Sequence, residues 1–106
     1  MNIKFLPLFL LVCACSPVTP FQYDNGDDYF REGLRRVVDK NGKIGYVDEA
    51  GKIVIRPRFS CAFPFQNGRA KVADICETVP VSSEHSEWRS EKWYFIDRNG
   101  KIVSSE

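Results

Sequence analysis

The residues best suited to chemistry are four cysteines and one histidine: Cys13, Cys15, Cys61, Cys76 and His85. A thiol or hydroxyl beside a histidine can act as a nucleophile when rigid elements hold the two groups within hydrogen-bond reach. Cys76 is the thiol best placed to pair with His85, and the serines near His85 share its polar stretch, which offers no rigid support. The sequence therefore predicts no catalytic site and a protein that is not an enzyme.

Metal and cofactor motifs are also missing from the sequence. Asp24, Asp27 and Asp28 flank Asn25-Gly26, but they lack the alternating ligand spacing and the terminal glutamate of an EF-hand loop. Every glycine stands alone, so no glycine-rich phosphate loop is present. We expect neither a metal nor a cofactor, and a formal net charge of +1 over 106 residues argues against nucleic-acid binding.

The first fourteen residues have the pattern of a secretion signal. Lys4 gives the start a positive charge, and an apolar run follows over residues 5–12. A run of this length is too short to cross a bilayer as a helix, because about 20 apolar residues are needed. It has the length of the apolar region of a signal peptide, so residues 1–14 are predicted to be removed.

Val12-Cys13-Ala14-Cys15 resembles the lipobox of bacterial lipoproteins. Ala14 and Cys15 match the two most demanding positions of that motif, whereas Cys13 is unusual in it. The resemblance implies that Cys15 becomes the acylated N-terminal residue and anchors the protein to the cell envelope. Ser16 is compatible with sorting to the outer membrane. Simple secretion with a free Cys15 thiol and an uncleaved N-terminal anchor are the alternatives.

The segment after the signal is expected to be a tether. Residues 15–31 contain two prolines and an acidic stretch, a composition typical of an extended linker rather than of a core. A single domain over residues 32–106 would follow. The composition of the whole chain, 43% hydrophobic and 27% charged, is that of an ordinary globular protein.

One turn pattern, Asp-x-x-Gly-Lys, occurs three times, at residues 39–43, 48–52 and 97–101. Aspartate can accept a hydrogen bond from a backbone N–H two residues on, and glycine adopts the positive φ that such a hairpin turn requires. The flanking runs have strand character, and no helical period follows the signal. The pattern predicts a three-stranded antiparallel meander over residues 34–38, 43–47 and 52–56.

The second half of the domain repeats the first. Gly33 aligns with Gly68 at an offset of 35, and residues 43–48 align with residues 92–97 at an offset of 49. The difference corresponds to an insertion over about residues 77–90, which is polar and is expected to be a solvated loop. The fold class that follows is all-β, with two repeats of short antiparallel strands.

The repeat resembles the WG-repeat family. The best match runs from Gly42 to Val72 and includes Gly45-Tyr-Val-Asp48, Gly51-Lys52 and Pro64-Phe65. The Trp-Gly dipeptide that gives the family its name is intact in neither copy, since Ile44-Gly45 lacks the tryptophan and Trp93-Tyr94 lacks the glycine. The resemblance covers about residues 33–103 and implies an interaction role only loosely. Two repeats bury little core by themselves, so a further stabilising feature is expected.

Cys61 and Cys76 remain as a pair once Cys13 is removed and Cys15 is acylated. The envelope permits disulfides, and a disulfide closing this loop would stabilise the domain by roughly 3 kcal/mol. Two buried free thiols, or a metal or redox pair, are the alternatives.

Aromatic residues offer the best candidates for a binding surface. In the insertion, Trp88 and Arg89 are candidate partner contacts because both residue types are favoured in interfaces, although Trp88 could instead fold back as a lid on the sheet. The other aromatic residues form either the core or an exposed strip that could stack on a sugar or grip a peptide. They are Tyr46, Phe59, Phe63, Phe65, Trp93 and Phe95.

These features together predict a non-catalytic lipoprotein of the bacterial cell envelope that works as a binding or scaffolding module. Its partners would be the membrane, through the lipid, and a protein, a peptide or a cell-wall glycan. The alternative is a periplasmic inhibitor or immunity-type lipoprotein with one tight protein partner. The third hypothesis is that the protein is a small enzyme.

Overall fold

The computed structural model describes residues 17–23 and 26–105. Within them the chain is all-β, as predicted, with no helix and therefore no helix that could cross a membrane. The predicted signal over residues 1–14 and the predicted acylation site Cys15 lie outside the described residues. The strands are β1 (Thr19–Pro20), β2 (Gln22–Tyr23), β3 (Gly26–Asp27), β4 (Leu34–Val38), β5 (Ile44–Asp48), β6 (Ile53–Phe59), β7 (Cys61–Ala62), β8 (Arg69–Ala73), β9 (Glu77–Pro80), β10 (Ser86–Arg89), β11 (Tyr94–Asp97) and β12 (Ile102–Ser105).

Two four-stranded antiparallel sheets form the body of the domain. The first has the order β1-β4-β5-β6, and the second has the order β7-β8-β11-β12. Strands β4, β5 and β6 of the first sheet correspond to β8, β11 and β12 of the second sheet and lie in the same order. Each sheet therefore contains one copy of the predicted repeat. Strand β6 runs through Ser60 into β7, and this crossover carries the chain from the first sheet to the second. The predicted meander over β4, β5 and β6 is confirmed.

Two residue pairs with positive φ, 35 positions apart in the sequence, show the repeat in the backbone. Glu32 and Gly33 precede β4 with φ of 55° and 80°, and Asn67 and Gly68 precede β8 with φ of 56° and 81°. The Glu32 carboxylate accepts hydrogen bonds from the backbone N–H groups of Asn67 and Gly68, at 2.6 and 2.9 Å. Arg98 donates in turn to the Glu32 carbonyl oxygen. The equivalent turns therefore bind each other and join the two repeats.

The three Asp-x-x-Gly-Lys turns are confirmed. In the first, Asp39 Oδ1 accepts from the backbone N–H groups of Asn41 and Lys43, both at 2.9 Å. The turns at 48–52 and 97–101 repeat this arrangement. The glycine of each turn has a positive φ, between 79° and 86°. The aspartates are thus engaged in turns, as the sequence predicts.

The insertion is structured, and its prediction as a loop is wrong. Strands β9 and β10 pair as an antiparallel hairpin between β8 and β11. Most of the hairpin is solvent-exposed, as its polar composition indicates, and only Val79 and Trp88 among its strand residues are half-buried. Backbone pairing thus orders a segment that contributes little to the core.

One core is shared by the two sheets. Its buried residues come from β4, β5, β6, β7, β8 and β11 and from the segment before β8: Leu34, Ile44, Tyr46, Ile55, Phe59, Ala62, Phe65, Ala70, Val72 and Ile96. Burial of these side chains drives the association of the repeats, because neither sheet covers its own apolar face.

The predicted tether is part of the fold where the structure describes it. Strand β1 pairs with β4, and the Phe21 backbone N–H donates to the Arg36 carbonyl oxygen at 3.0 Å. Strands β2 and β3 form a short hairpin, and the Asp28 that follows is buried. Strand β1, Phe21 and Asp28 therefore belong to the fold of the first repeat, because they bind the otherwise open edge of β4.

Candidate functional site

Five side chains on the outer side of the second sheet form what we call the aromatic–cationic face: Phe63, Arg69, Lys71, Trp93 and Phe95. Alternation along β8 places Arg69 and Lys71 opposite the buried Ala70 and Val72. Strand β11 pairs Phe95 with Lys71, so an aromatic residue lies beside a cation across the ladder. The regular pleat of the sheet thus positions alternating rings and charges.

The cations of this face lie over the aromatic rings. The Lys71 Nζ is 5.0 Å from the ring centroid of Trp93 and 5.9 Å from that of Phe63. The central guanidinium carbon of Arg69 is 4.2 Å from the ring centroid of Phe95. These distances are those of cation–π contacts, so the rings support the cations and the cations cover the ring faces.

A groove of about 520 Å³ runs along part of this face. Its lining includes three cationic side chains, Arg31, Arg69 and Lys71, together with Phe63 and Phe95, and no described lining residue carries a carboxylate. The groove therefore combines positive charge with aromatic surface, which suits an anionic partner better than a neutral one.

Trp88 is packed against the protein itself, which is the predicted lid arrangement. Its ring centroid lies 5.8 Å from that of Phe21 and 5.3 Å from that of Phe63, and both contacts are edge-to-face. It also borders the hydrophobic core. Its neighbour Arg89 is exposed and approaches Glu87 at 3.6 Å. The β9–β10 hairpin thus brings Trp88 to one end of the aromatic–cationic face, while Arg89 lies on the solvent side.

Cys61 and Cys76 are brought together at the base of this hairpin. Their sulfurs lie at bonding distance, with the two Cα atoms 6.0 Å apart. Cys61 is buried in β7, and Cys76 immediately precedes β9. The Ser90 hydroxyl, just after β10, donates to the Ile75 carbonyl oxygen at 2.6 Å. This geometry accommodates the predicted disulfide, which would fix the hairpin that carries Trp88.

Asp28 and Arg36 form a buried ion pair that the sequence analysis missed. The Arg36 Nη2 and Nε atoms donate to the two carboxylate oxygens at 2.7 and 2.9 Å. Burial by itself raises the pKa of Asp28, but the hydrogen bonds and positive charge of Arg36 outweigh it and lower that pKa below its usual value. Arg36 also lies over the Phe21 ring, at 4.3 Å. This pair holds the N-terminal segment against β4.

The sequence candidates for nucleophilic chemistry are not brought together. Cys76 lies at the base of the β9–β10 hairpin, and His85 lies at its tip, where its backbone N–H donates to Ser82 Oγ at 3.1 Å. Among the residues that the structure describes, no group of three or more His, Cys, Asp or Glu side chains could hold a metal.

A second, larger cleft of about 770 Å³ lies between the base of the hairpin and β11. The Tyr94 hydroxyl donates to Asp74 Oδ1 at 2.6 Å on its wall. Partial burial and the Asp74 carboxylate raise the pKa of Tyr94 to about 12, so this phenol stays protonated at neutral pH. Both acidic and basic residues line the cleft, which leaves it without a dominant charge; they are Asp74, Glu77, Glu91, Arg89 and Lys92.

The glycine of the incomplete Ile44-Gly45 dipeptide has a structural role. A Cβ atom added at Gly45 would lie 2.5 Å from the Ile55 carbonyl oxygen and 2.5 Å from the Pro57 nitrogen. Strand β6 bulges at this point, since Ile44 and Tyr46 pair with Phe59 and Ile55. Only a residue without a side chain lets the bulge approach β5 so closely.

Comparison with known proteins agrees with the repeat architecture. No curated protein and no solved structure matches the chain. A family model described as "WG containing repeat" matches residues 44–73. The matched segment begins in β5, contains the β6 bulge above Gly45 and the crossover through β7, and ends with β8. The chain is therefore similar to the WG repeat over residues 44–73, and the predicted resemblance to that family is confirmed over this segment.

Proposed function

We propose that this protein is a non-catalytic binding module, anchored in the bacterial cell envelope through an acylated Cys15, whose aromatic–cationic face binds an acidic segment of a protein partner. The envelope location is supported by the lipobox-like residues 12–15. A binding role is supported by the WG repeat at residues 44–73, which forms part of a module with a shared core.

The placement of Arg69 and Lys71 over aromatic rings carries the binding proposal. A cation that is held by a ring loses less side-chain entropy when it meets a carboxylate. The groove beside these residues adds Arg31 to the positive lining. An acidic segment would thus meet charges that are already positioned on a sheet.

The same contacts favour an acidic protein segment over a neutral glycan. A sugar needs an open ring face on which to stack, whereas Lys71 lies above Trp93 and Arg69 lies above Phe95. An extended peptide could also use the edge of the second sheet, since β12 is outermost in that sheet and pairs on its outer side with no described strand. Edge strands of this kind can accept a peptide.

A titration with synthetic peptides tests the proposal. An extended peptide that alternates glutamate with valine would be titrated against the purified protein while tryptophan fluorescence is recorded. We expect saturable binding that weakens in high salt and that falls about tenfold or more in the Arg69→Glu variant.

Two controls make the titration specific. The matched peptide with glutamine in place of glutamate should bind far more weakly. The Arg56→Glu variant changes an exposed arginine on β6, away from the face, and should bind the acidic peptide normally. Equal affinity for the two peptides, or equal losses in the two variants, would contradict the proposal.

A further inference from the structure

The first hairpin turn, Asp39–Lys43, combines a short distance to the proposed anchor with a positive charge. We propose that its lysines, Lys40 and Lys43, contact anionic phospholipid headgroups of the membrane that holds Cys15. The contact would fix which end of the domain faces the bilayer. This inference rests on the acylation of Cys15 proposed above.

The position of the turn follows from the register of β1. Thr19 pairs with Val38, and Val38 directly precedes the turn. Only four residue steps separate Cys15 from Thr19, and a fully extended chain of that length spans at most roughly 14 Å. An acylated Cys15 therefore holds this end of the first sheet close to the headgroups.

The other end of the same sheet lies farther from the anchor. Strand β5 has five residues, so the turn at 48–52 lies roughly 17 Å beyond the turn at 39–43. The turn at 97–101 lies at that far end as well, since its Arg98 contacts Glu32 just before β4 begins. The turn at 39–43 is therefore near the proposed anchor, whereas the turns at 48–52 and 97–101 are far from it.

The two turns of the first sheet also differ in charge, and the turn near the anchor is the more positive one. The near turn contains Lys40 and Lys43 against one carboxylate, Asp39, and Lys40 is exposed. The far turn at 48–52 contains Asp48 and Glu49 against Lys52. Anionic lipids attract basic segments within about a Debye length of the surface and repel acidic ones. Of the two turns of the first sheet, the one with the positive net charge is therefore the one held near the membrane.

The three turns also provide matched lysines for a test. Lys43 and Lys52 occupy the same turn position, and each backbone N–H donates to its turn aspartate at 2.9 Å. Lys101 has the same arrangement at 3.0 Å. Because Lys43 is half-buried while Lys52 and Lys101 are exposed, each lysine is compared with itself in two kinds of vesicle, so that a change in its reactivity reports the membrane and not the local fold.

Lysine acetylation read by mass spectrometry tests the inference on the full lipoprotein. The protein would be reconstituted into phosphatidylglycerol–phosphatidylethanolamine vesicles and, separately, into phosphatidylcholine vesicles. In the anionic vesicles we expect Lys40 and Lys43 to be acetylated about threefold or more slowly than in the neutral ones, because headgroups shield them. Lys52 and Lys101 should react alike in both. A long Gly/Ser spacer inserted after Ser16 should reduce the protection.

The outcomes separate this inference from the proposed function. Intact mass of the same sample shows whether Cys15 is acylated. An acylated protein in which Lys40 and Lys43 react as fast in anionic as in neutral vesicles would overturn the orientation and leave the anchor standing. A protein without acyl chains would overturn the anchor and the orientation together.

Discussion

The Arg36 guanidinium and the Asp28 carboxylate meet in a two-pronged ion pair inside the first repeat, with N–O distances of 2.7 and 2.9 Å. The remaining guanidinium nitrogen, Nη1, donates to the Ala62 carbonyl oxygen at 3.0 Å. Because Ala62 is in β7, one arginine on β4 links the N-terminal segment, the first sheet and the second sheet.

Removal of the Asp28 carboxylate should destabilise the domain strongly. We expect Asp28→Ala to lower the free energy of unfolding by about 3–5 kcal/mol, because Arg36 would keep a buried charge without its partner. Urea denaturation measures this loss. The control is Asp27→Ala, which removes an exposed carboxylate that accepts from Gln22 and should cost less than about 1 kcal/mol. Similar losses in the two variants would contradict a structural role for the pair.

The same pair predicts a loss of stability in acid. The folded protein holds the pKa of Asp28 below its ordinary value of 3.8. A lowered pKa gives stability that is complete above the unfolded-state pKa and is lost as the pH falls through the folded-state pKa. The Tm of the wild type should therefore fall more steeply below about pH 4 than that of Asp28→Asn. Parallel curves for the two proteins would count against this account.

Substitution of Gly45 should strain the β5–β6 pairing. A methyl group at this position would lie 2.5 Å from backbone atoms of Ile55 and Pro57, which cannot rotate away. We expect Gly45→Ala to lower the free energy of unfolding by about 1–3 kcal/mol. Gly26→Ala is the control, since its Cβ would have no atom within 4 Å. An unchanged stability of Gly45→Ala would show that β6 can shift freely.

The Cys61–Cys76 disulfide should contribute measurably to stability. A bond that closes a loop with a sequence separation of 15 is worth roughly 3 kcal/mol in the chain-entropy model. We expect reductant to lower the Tm of the wild type and to leave the Cys61→Ala/Cys76→Ala variant unchanged. Alkylation of both cysteines in the native protein before any reductant is added would show that the bond is absent.

The strands were predictable because their signals are local. Each Asp-x-x-Gly-Lys turn contains its own hydrogen-bond acceptor and its own positive-φ glycine, so the meander could be placed from the turns alone. The repeat offsets then located the second copy and the insertion.

The folded structure of the N-terminal segment and of the hairpin could not be predicted, because it depends on side chains that are distant in the sequence. Asp28 looks solvated in its acidic stretch, and its burial depends on Arg36, which lies eight residues away on β4. Trp88 gains its place from Phe21 and Phe63, which come from other parts of the chain. The aromatic–cationic face was missed in part because cation–π contacts join β8 to β11 across the insertion.

The most direct test of the account is the intact mass of the protein extracted from bacterial membranes. We expect a species that lacks residues 1–14 and carries a mass gain of roughly several hundred daltons on Cys15, from the glyceride and its acyl chains. A soluble species without this gain would contradict the envelope anchor.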